Sequence, residues 1–268
     1  MPCRGRLAAT SEVRNNYSKR SPNQSSSSAV LSSMARRRRI APQTCIGIYP
    51  PPAQTQTMTA TDFRAAIVDY VRAQAKPVDK FSHQERLYAL TRQIGAGQAY
   101  DDDVVFAAAW MHDLGVFIGH RPEEPAALAR WDSRAYAMDR VPQLLKDLRF
   151  PEAKIPAVVE VIREHLPSGN PDTLEGLIIR DVDILEQLGA SGILRNVSKI
   201  GRDTRFQVFP EVLRVLQRNL ETLPGQLRLP ASRALAEPRV RVLKDFLEAA
   251  TAEGCTLGPV NPAGKSQL

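Results

Sequence analysis

The sequence holds four histidines, and three of them, His83, His112 and His165, fall on apolar stripes. His83 leads Leu87, Leu90 and Ile94 at offsets of 4, 7 and 11. His112 trails Val105, Ala108 and Ala109 at 7, 4 and 3, and His165 trails Ile155, Val158 and Ile162 at 10, 7 and 3. At 3.6 residues per turn, these spacings turn each imidazole toward the core. One inward histidine is ordinarily a buried, hydrogen-bonded residue. Three from separate helices suit a metal, because neutral imidazole is the commonest metal ligand and helical bundles build metal sites from facing helices.

Acids stand in the same kind of surroundings. Asp113 directly follows His112 after an Ala-Ala-Ala-Trp-Met run. Adjacent helical residues point about 100° apart, so both reach one ion only near a helix end, which Gly115 supplies. A carboxylate beside so apolar a run is costly unless paired or metal-bound. Asp181 and Asp183 lie inside another apolar stretch, roughly 200° apart around a helix, so only one of them can face a shared ion. Asp183 lines up with Ile179 and Gly176, Asp181 with Ile178, Leu185 and Leu188. Periodicity leaves both aspartates open; the one turned away would orient a ligand or pair with an arginine.

The elements that must carry these residues read as helices. Thr61-Asp62 caps a helix with Phe63, Ile67, Tyr70 and Val71 on one face. Ser82 and Glu85 read as a capping box opening a helix to about Ile94. Asp101 to Asp103 start a third helix, to about Leu114. Further helices are expected at 126–148 with a break near Pro142, and at 152–165, 173–188, 207–222 and 231–252. Hardly any stretch alternates with period two. The expectation is an all-α fold of seven or eight helices, without internal repeats, in one domain over residues 59–253.

Composition sets the limits around that domain. Of 268 residues, 43% are hydrophobic, enough for a core that needs no disulfide scaffold. Cys3, Cys45 and Cys255 lie far apart, which points to a reducing, cytoplasmic setting. The net charge of +7 is unevenly spread. Residues 1–58 hold nine basic groups against the single acid Glu12, leaving 27 basic and 28 acidic groups in the rest. Overall charge therefore gives the helical part no support as a nucleic-acid binder, and no apolar run reaches the length of a membrane span. Residues 1–58, with the Ser21 to Ser28 tract, Arg36 to Arg39 and Pro50 to Pro52, lack hydrophobic periodicity and read as a disordered tail. The favoured reading is an over-long gene model, with Met34 or especially Met58 as the true start; a disordered basic tail and an organelle transit segment are the rivals. Residues 254–268 read as a second disordered tail.

Taken in order, His83-x-x-Arg86-Leu87, Ala109-Trp110-Met111-His112-Asp113-Leu114-Gly115, Ile162-Arg163-Glu164-His165 and Asp181-Val182-Asp183-Ile184-Leu185 resemble the HD superfamily of metal-dependent phosphohydrolases over about residues 62–210. The resemblance implies one divalent ion (Mn, Co, Ni, Fe, Zn or Mg) held by His83, His112, Asp113 and a late aspartate. Val182-Asp183-Ile184-Leu185 fits the family's late motif best, which selects Asp183, with Asp181 as the alternative. Such an ion activates water and polarises a phosphoryl oxygen, and the developing charge needs cationic partners. Asp113, His165 and Arg86 are expected at the chemistry. Arg121, Lys199 and Arg202 are candidate phosphate contacts, and the loop from Gly115 to Pro125, including His120, a candidate roof. The implied substrate is a small phosphorylated molecule, nucleotides included.

The sequence also departs from the family. Val116 stands where many members have Lys, and Phe117 where the branch acting on nucleoside monophosphates has an acid. The extra histidine of two-metal members is missing between His112 and His165 apart from His120, which comes too early. The alternatives are thus a di-iron oxygenase relative, disfavoured by that missing histidine, and a helical regulatory protein with a decayed site. Tryptophans 110 and 131 read as core.

Overall fold

The computed structural model describes residues 62–201 and 206–255. Both the tail over 1–58 and Arg202 lie outside the described residues, as does the C-terminal tail beyond Cys255.

Among the described residues there are ten α-helices, three single 3-10 turns and no strand; the only bridge pairs Ile118 with Arg121. The helices are α1 (Asp62–Gln74), α2 (Asp79–Ile94), α3 (Asp102–Met111), α4 (Pro125–Leu128) and α5 (Ser133–Asp147). They continue with α6 (Ile155–Glu164), α7 (Leu174–Glu186), α8 (Gly189–Val197), α9 (Phe209–Thr222) and α10 (Pro230–Ala252). The fold is all-α, and no described helix is long and apolar enough to cross a membrane.

Two helices organise the rest. α3 is buried at every position from Val104 to Met111, and α7 is buried from Ile178 through Glu186. A helix apolar all round must be enclosed. Accordingly α3 packs against α1, α2, α6 and α7, while α7 also meets α8 and α10. Their starts are well capped. Asp101 accepts from the backbone N–H groups of Asp103 and Val104, and Thr173 accepts from that of Gly176. Outer helices bury one stripe only, such as Phe63, Ile67 and Val71 of α1.

Several expected boundaries move. Ser82 does not cap α2, which begins at Asp79; its hydroxyl instead accepts from Arg86 Nη1 one turn later. The stretch 126–148 breaks at Ala129 to Asp132, where the Asp132 carboxylate caps Ala135, and Pro142 lies within an unbroken α5. Residues 189–197 form a helix that sequence periodicity did not show, because its nine residues offer only one short apolar face. α3 stops at Met111 rather than Leu114, with His112 as its last cap and a 3-10 turn over Leu114–Val116. Gly115 belongs to that turn for a steric reason: a Cβ there would lie 2.3 Å from the Ser133 carbonyl oxygen.

Candidate metal centre

The centre is assembled where α2, the end of α3 and α7 meet. His83 projects from the first half of α2, and the fully buried Leu87 below it on the same stripe fixes that face inward. His112 closes α3, and the turn that follows swings Asp113 back toward the same space. His83 and His112 are each 2% exposed. One Asp113 oxygen lies 3.7 Å from His83 Nε2 and the other 3.7 Å from His112 Nε2. The three side chains offer ligand atoms within 4.8 Å of one another.

Hydrogen bonding on the far side of each ring decides what it offers here. His83 Nδ1 is 3.2 Å from a Glu186 carboxylate oxygen, and His112 Nδ1 is 3.1 Å from the Ala109 carbonyl. Both partners accept only, so Nδ1 carries the proton and Nε2 keeps its lone pair. Neither Nε2 has a hydrogen-bond partner, although both are buried. Buried polar atoms are nearly always partnered, and two orphaned lone pairs converging on a carboxylate match what a cation requires. Ligand atoms about 2.1 Å from a shared ion lie roughly 3–4 Å apart, and each imidazole nitrogen here is 3.7 Å from an Asp113 oxygen. The residues therefore fit a divalent metal.

Electrostatics agrees. Burial, joined by the positive charge of Arg195, pulls the His83 pKa down to about 4 despite Glu186 and Asp113. Burial pushes the Asp113 carboxyl upward, but His112, His83, Lys80 and Arg195 outweigh it and hold the group well below the carboxylate range. His83 is thus neutral and Asp113 ionised near neutral pH, the forms that bind metal.

His165, 5% exposed, packs edge-on to His112 with ring centroids 5.1 Å apart, and its Nδ1 donates to the Ile162 carbonyl at 2.6 Å. Burial and then His112 lower its pKa, while Asp183 and Asp113 oppose them. Asp183 thus exerts its charge on this histidine cluster, although its oxygens lie outside the 4.8 Å group; Gln187 donates to one of them at 3.1 Å. Asp181 is occupied elsewhere. It is fully buried and accepts from the backbone N–H groups of Arg228 and Leu229, and from Arg180.

The candidate cations separate. Arg86 is engaged by Glu186 and Ser82. Lys199 lies 6.0 Å from the Phe206 ring centroid, and Arg121 is half-buried at the Ile118 bridge. His120 is held between Tyr136 Oη and Gln74 Oε1. Phe117 is fully buried, so an apolar core side chain holds the position where an acid stands in the monophosphate branch. Trp110 is core, and Trp131, partly exposed, donates to the Gly115 carbonyl.

Sequence reasoning missed Glu186, Arg195 and Lys80. Glu186 was legible in principle: it lies three residues beyond Asp183, hence on a neighbouring face of a helix already known to be apolar. Arg195 was hidden because α8 was not expected.

Residues 81–188 match the HD domain family. The chain therefore carries an HD domain over these residues. Solved structures of similar fold include YpgQ from Bacillus subtilis, with a TM-score of 0.56 and 20% identity over 75% of this chain and 100% of that one. A Lactobacillus plantarum protein aligns with a TM-score of 0.56 and 19% identity over 74% and 98%. An HD-superfamily hydrolase from Bacillus thuringiensis gives 0.53 and 20% over 73% and 98%. YpgQ has also been solved in complex with ADP; that structure has a TM-score of 0.53 at 20% identity over 72% and 99%. At these identities the likeness is one of fold. No curated protein matches the chain significantly.

Proposed function

We propose that this protein is a metal-dependent phosphohydrolase that cleaves a phosphate ester or anhydride of a small molecule. The observation that carries the reading is the pair of buried, orphaned Nε2 lone pairs of His83 and His112 converging on Asp113. His83, His112 and Asp113 are the ligands, and Asp183 completes the set because Asp181 spends its oxygens on Arg228 and Leu229. A divalent ion held there supplies Lewis acidity, lowering the pKa of water and polarising a phosphoryl oxygen.

The chain's own groups do the rest. Arg195 and Lys80, whose positive charge is felt at Asp113, offset the negative charge that develops on phosphorus-bound oxygens. His165, neutral and with Nδ1 occupied by Ile162, presents Nε2 beside His112 as a proton acceptor or, once charged, a donor to the leaving group. The ADP complex of YpgQ supports a nucleotide as the substrate class to try first.

The test is metal content and phosphate release. Purified protein should hold one divalent ion per chain and release phosphate from a nucleoside diphosphate or triphosphate with Mn, Co, Ni or Mg. His112→Ala and Asp113→Ala should lose both. Stoichiometric metal in either variant would show the ligands to be misassigned, and two irons per chain would favour an oxygenase.

A further inference from the structure

Glu186 is a carboxylate 1% exposed to solvent, and neither the metal ligands nor the reacting groups include it. One of its oxygens meets His83 Nδ1 at 3.2 Å, Arg86 Nε at 3.2 Å and Arg86 Nη2 at 3.2 Å. Arg86 is itself tied back to Ser82, one turn earlier on α2, and Arg195 donates to the Glu186 backbone carbonyl at 3.4 Å. These contacts form a chain from the half-exposed Arg86 through the buried Glu186 to His83 and so to the centre. A buried carboxylate is costly unless its charge is met, and Arg86 meets it.

We infer that Glu186 is a positioning residue for His83: it fixes the ring's orientation and keeps the proton on Nδ1, so that the Nε2 lone pair faces Asp113. The inference deepens the metal reading above and rests on it for its consequence. Outer carboxylates of this kind set the tautomer of metal-binding histidines and raise their basicity. The same geometry gives Arg86 a different place from the one its spacing suggested. Its guanidinium holds Glu186 in position instead of meeting a phosphate. Glutamine at position 186 would keep the shape but lose the charge, and its amide could present either a donor or an acceptor to His83, so the tautomer would no longer be fixed.

Two measurements test this. The first uses the metal-free wild-type protein labelled with 15N-histidine, in which nitrogen shifts distinguish the two neutral tautomers. His83 should be in the Nδ1–H form, and Glu186→Gln should lose that preference. An Nε2–H His83 in the wild type overturns the inference without any variant having to fold. The second is calorimetric titration with Co2+ alone. Glu186→Gln should bind about 10–100-fold more weakly than wild type, and Arg86→Ala less than about tenfold more weakly while keeping the Nδ1–H form. Unchanged Co2+ affinity in a folded Glu186→Gln variant overturns the positioning role. If the wild type takes up no Co2+, the metal reading fails, and the tautomer measurement alone still decides whether Glu186 sets His83.

Discussion

Replacing each late aspartate by asparagine separates the jobs that α7 performs. Asp181 is fully buried, and its two oxygens accept from Arg228 N at 3.0 Å, Leu229 N at 2.8 Å and Arg180 Nη1 at 3.2 Å. Both backbone N–H groups meet the same Asp181 oxygen, so in Asp181→Asn the NH2 takes the other oxygen's place, where it faces the buried Arg180 guanidinium: Arg180 loses its acceptor and its counter-charge and meets a donor instead. Each buried donor left unsatisfied costs about 1–3 kcal/mol, more when a charge is involved, so the variant should lose roughly 2–5 kcal/mol. For a domain of this size that lowers the thermal midpoint by roughly 5–15 °C. Asp183 receives one side-chain hydrogen bond, from Gln187, which the carbonyl oxygen of asparagine can still accept. Asp183→Asn should therefore cost under about 1 kcal/mol in metal-free protein. It should still weaken Mn2+ or Co2+ binding roughly 100-fold or more, beyond the effect of an outer partner. Thermal unfolding followed by circular dichroism in chelator, with calorimetric metal titration, reads both quantities. The opposite pattern, with metal lost in Asp181→Asn and stability lost in Asp183→Asn, would refute the assignment.

Two further outcomes follow from the geometry around the centre. Gly115→Ala should destabilise by about 1–3 kcal/mol, because its Cβ meets a backbone oxygen that cannot turn aside, and a thermal melt checks it. Metal-free protein should also lose stability as pH falls from His83's ordinary 6.5 toward its folded value of about 4, because the unfolded chain takes up a proton there that the folded one refuses. Glu186, which burial pushes up but His83 and Arg86 hold down at about 2, adds a second loss as pH drops below about 4.5. Asp113, His112 and Arg195 share this environment, so the decisive comparison is between wild type and His83→Asn, whose midpoint should fall less between pH 7 and 4.5.

Much of this was legible in the residues themselves. The stripes through His83, His112 and His165 predict buried imidazoles, and all three are buried, because helical period and apolar content are local properties of a chain. What local reading lacked was partnership. Nothing near Arg86 in sequence indicates that a carboxylate 100 residues away will take its guanidinium. Likewise, nothing near His120 in sequence indicates that Tyr136 and Gln74, from two other helices, will meet both of its nitrogens. Ser82 and Glu85 have the letters of a capping box, yet the chain turns helical three residues earlier. A cap pattern states where a helix can start, and packing decides where it does.

The same distinction explains why periodicity could not choose between Asp181 and Asp183. α7 is buried all round, so apolar neighbours surround both aspartates and carry no directional information. Direction comes from what each face meets. At 100° per residue, Asp181 and Asp183 diverge by about 200°, while Glu186 returns to within about 60° of Asp183. The Asp181 face meets the N–H groups of Arg228 and Leu229 at the start of α10, which tie this helix to the C-terminal half of the fold. The opposite side meets α2 and the end of α3, where Asp183 acts on His165 and Glu186 holds His83. One helix thus anchors the fold with one acid and faces the histidines with the other two. A substitution that rotates or frays α7 should disturb both together, whereas substitutions of single acids should separate them.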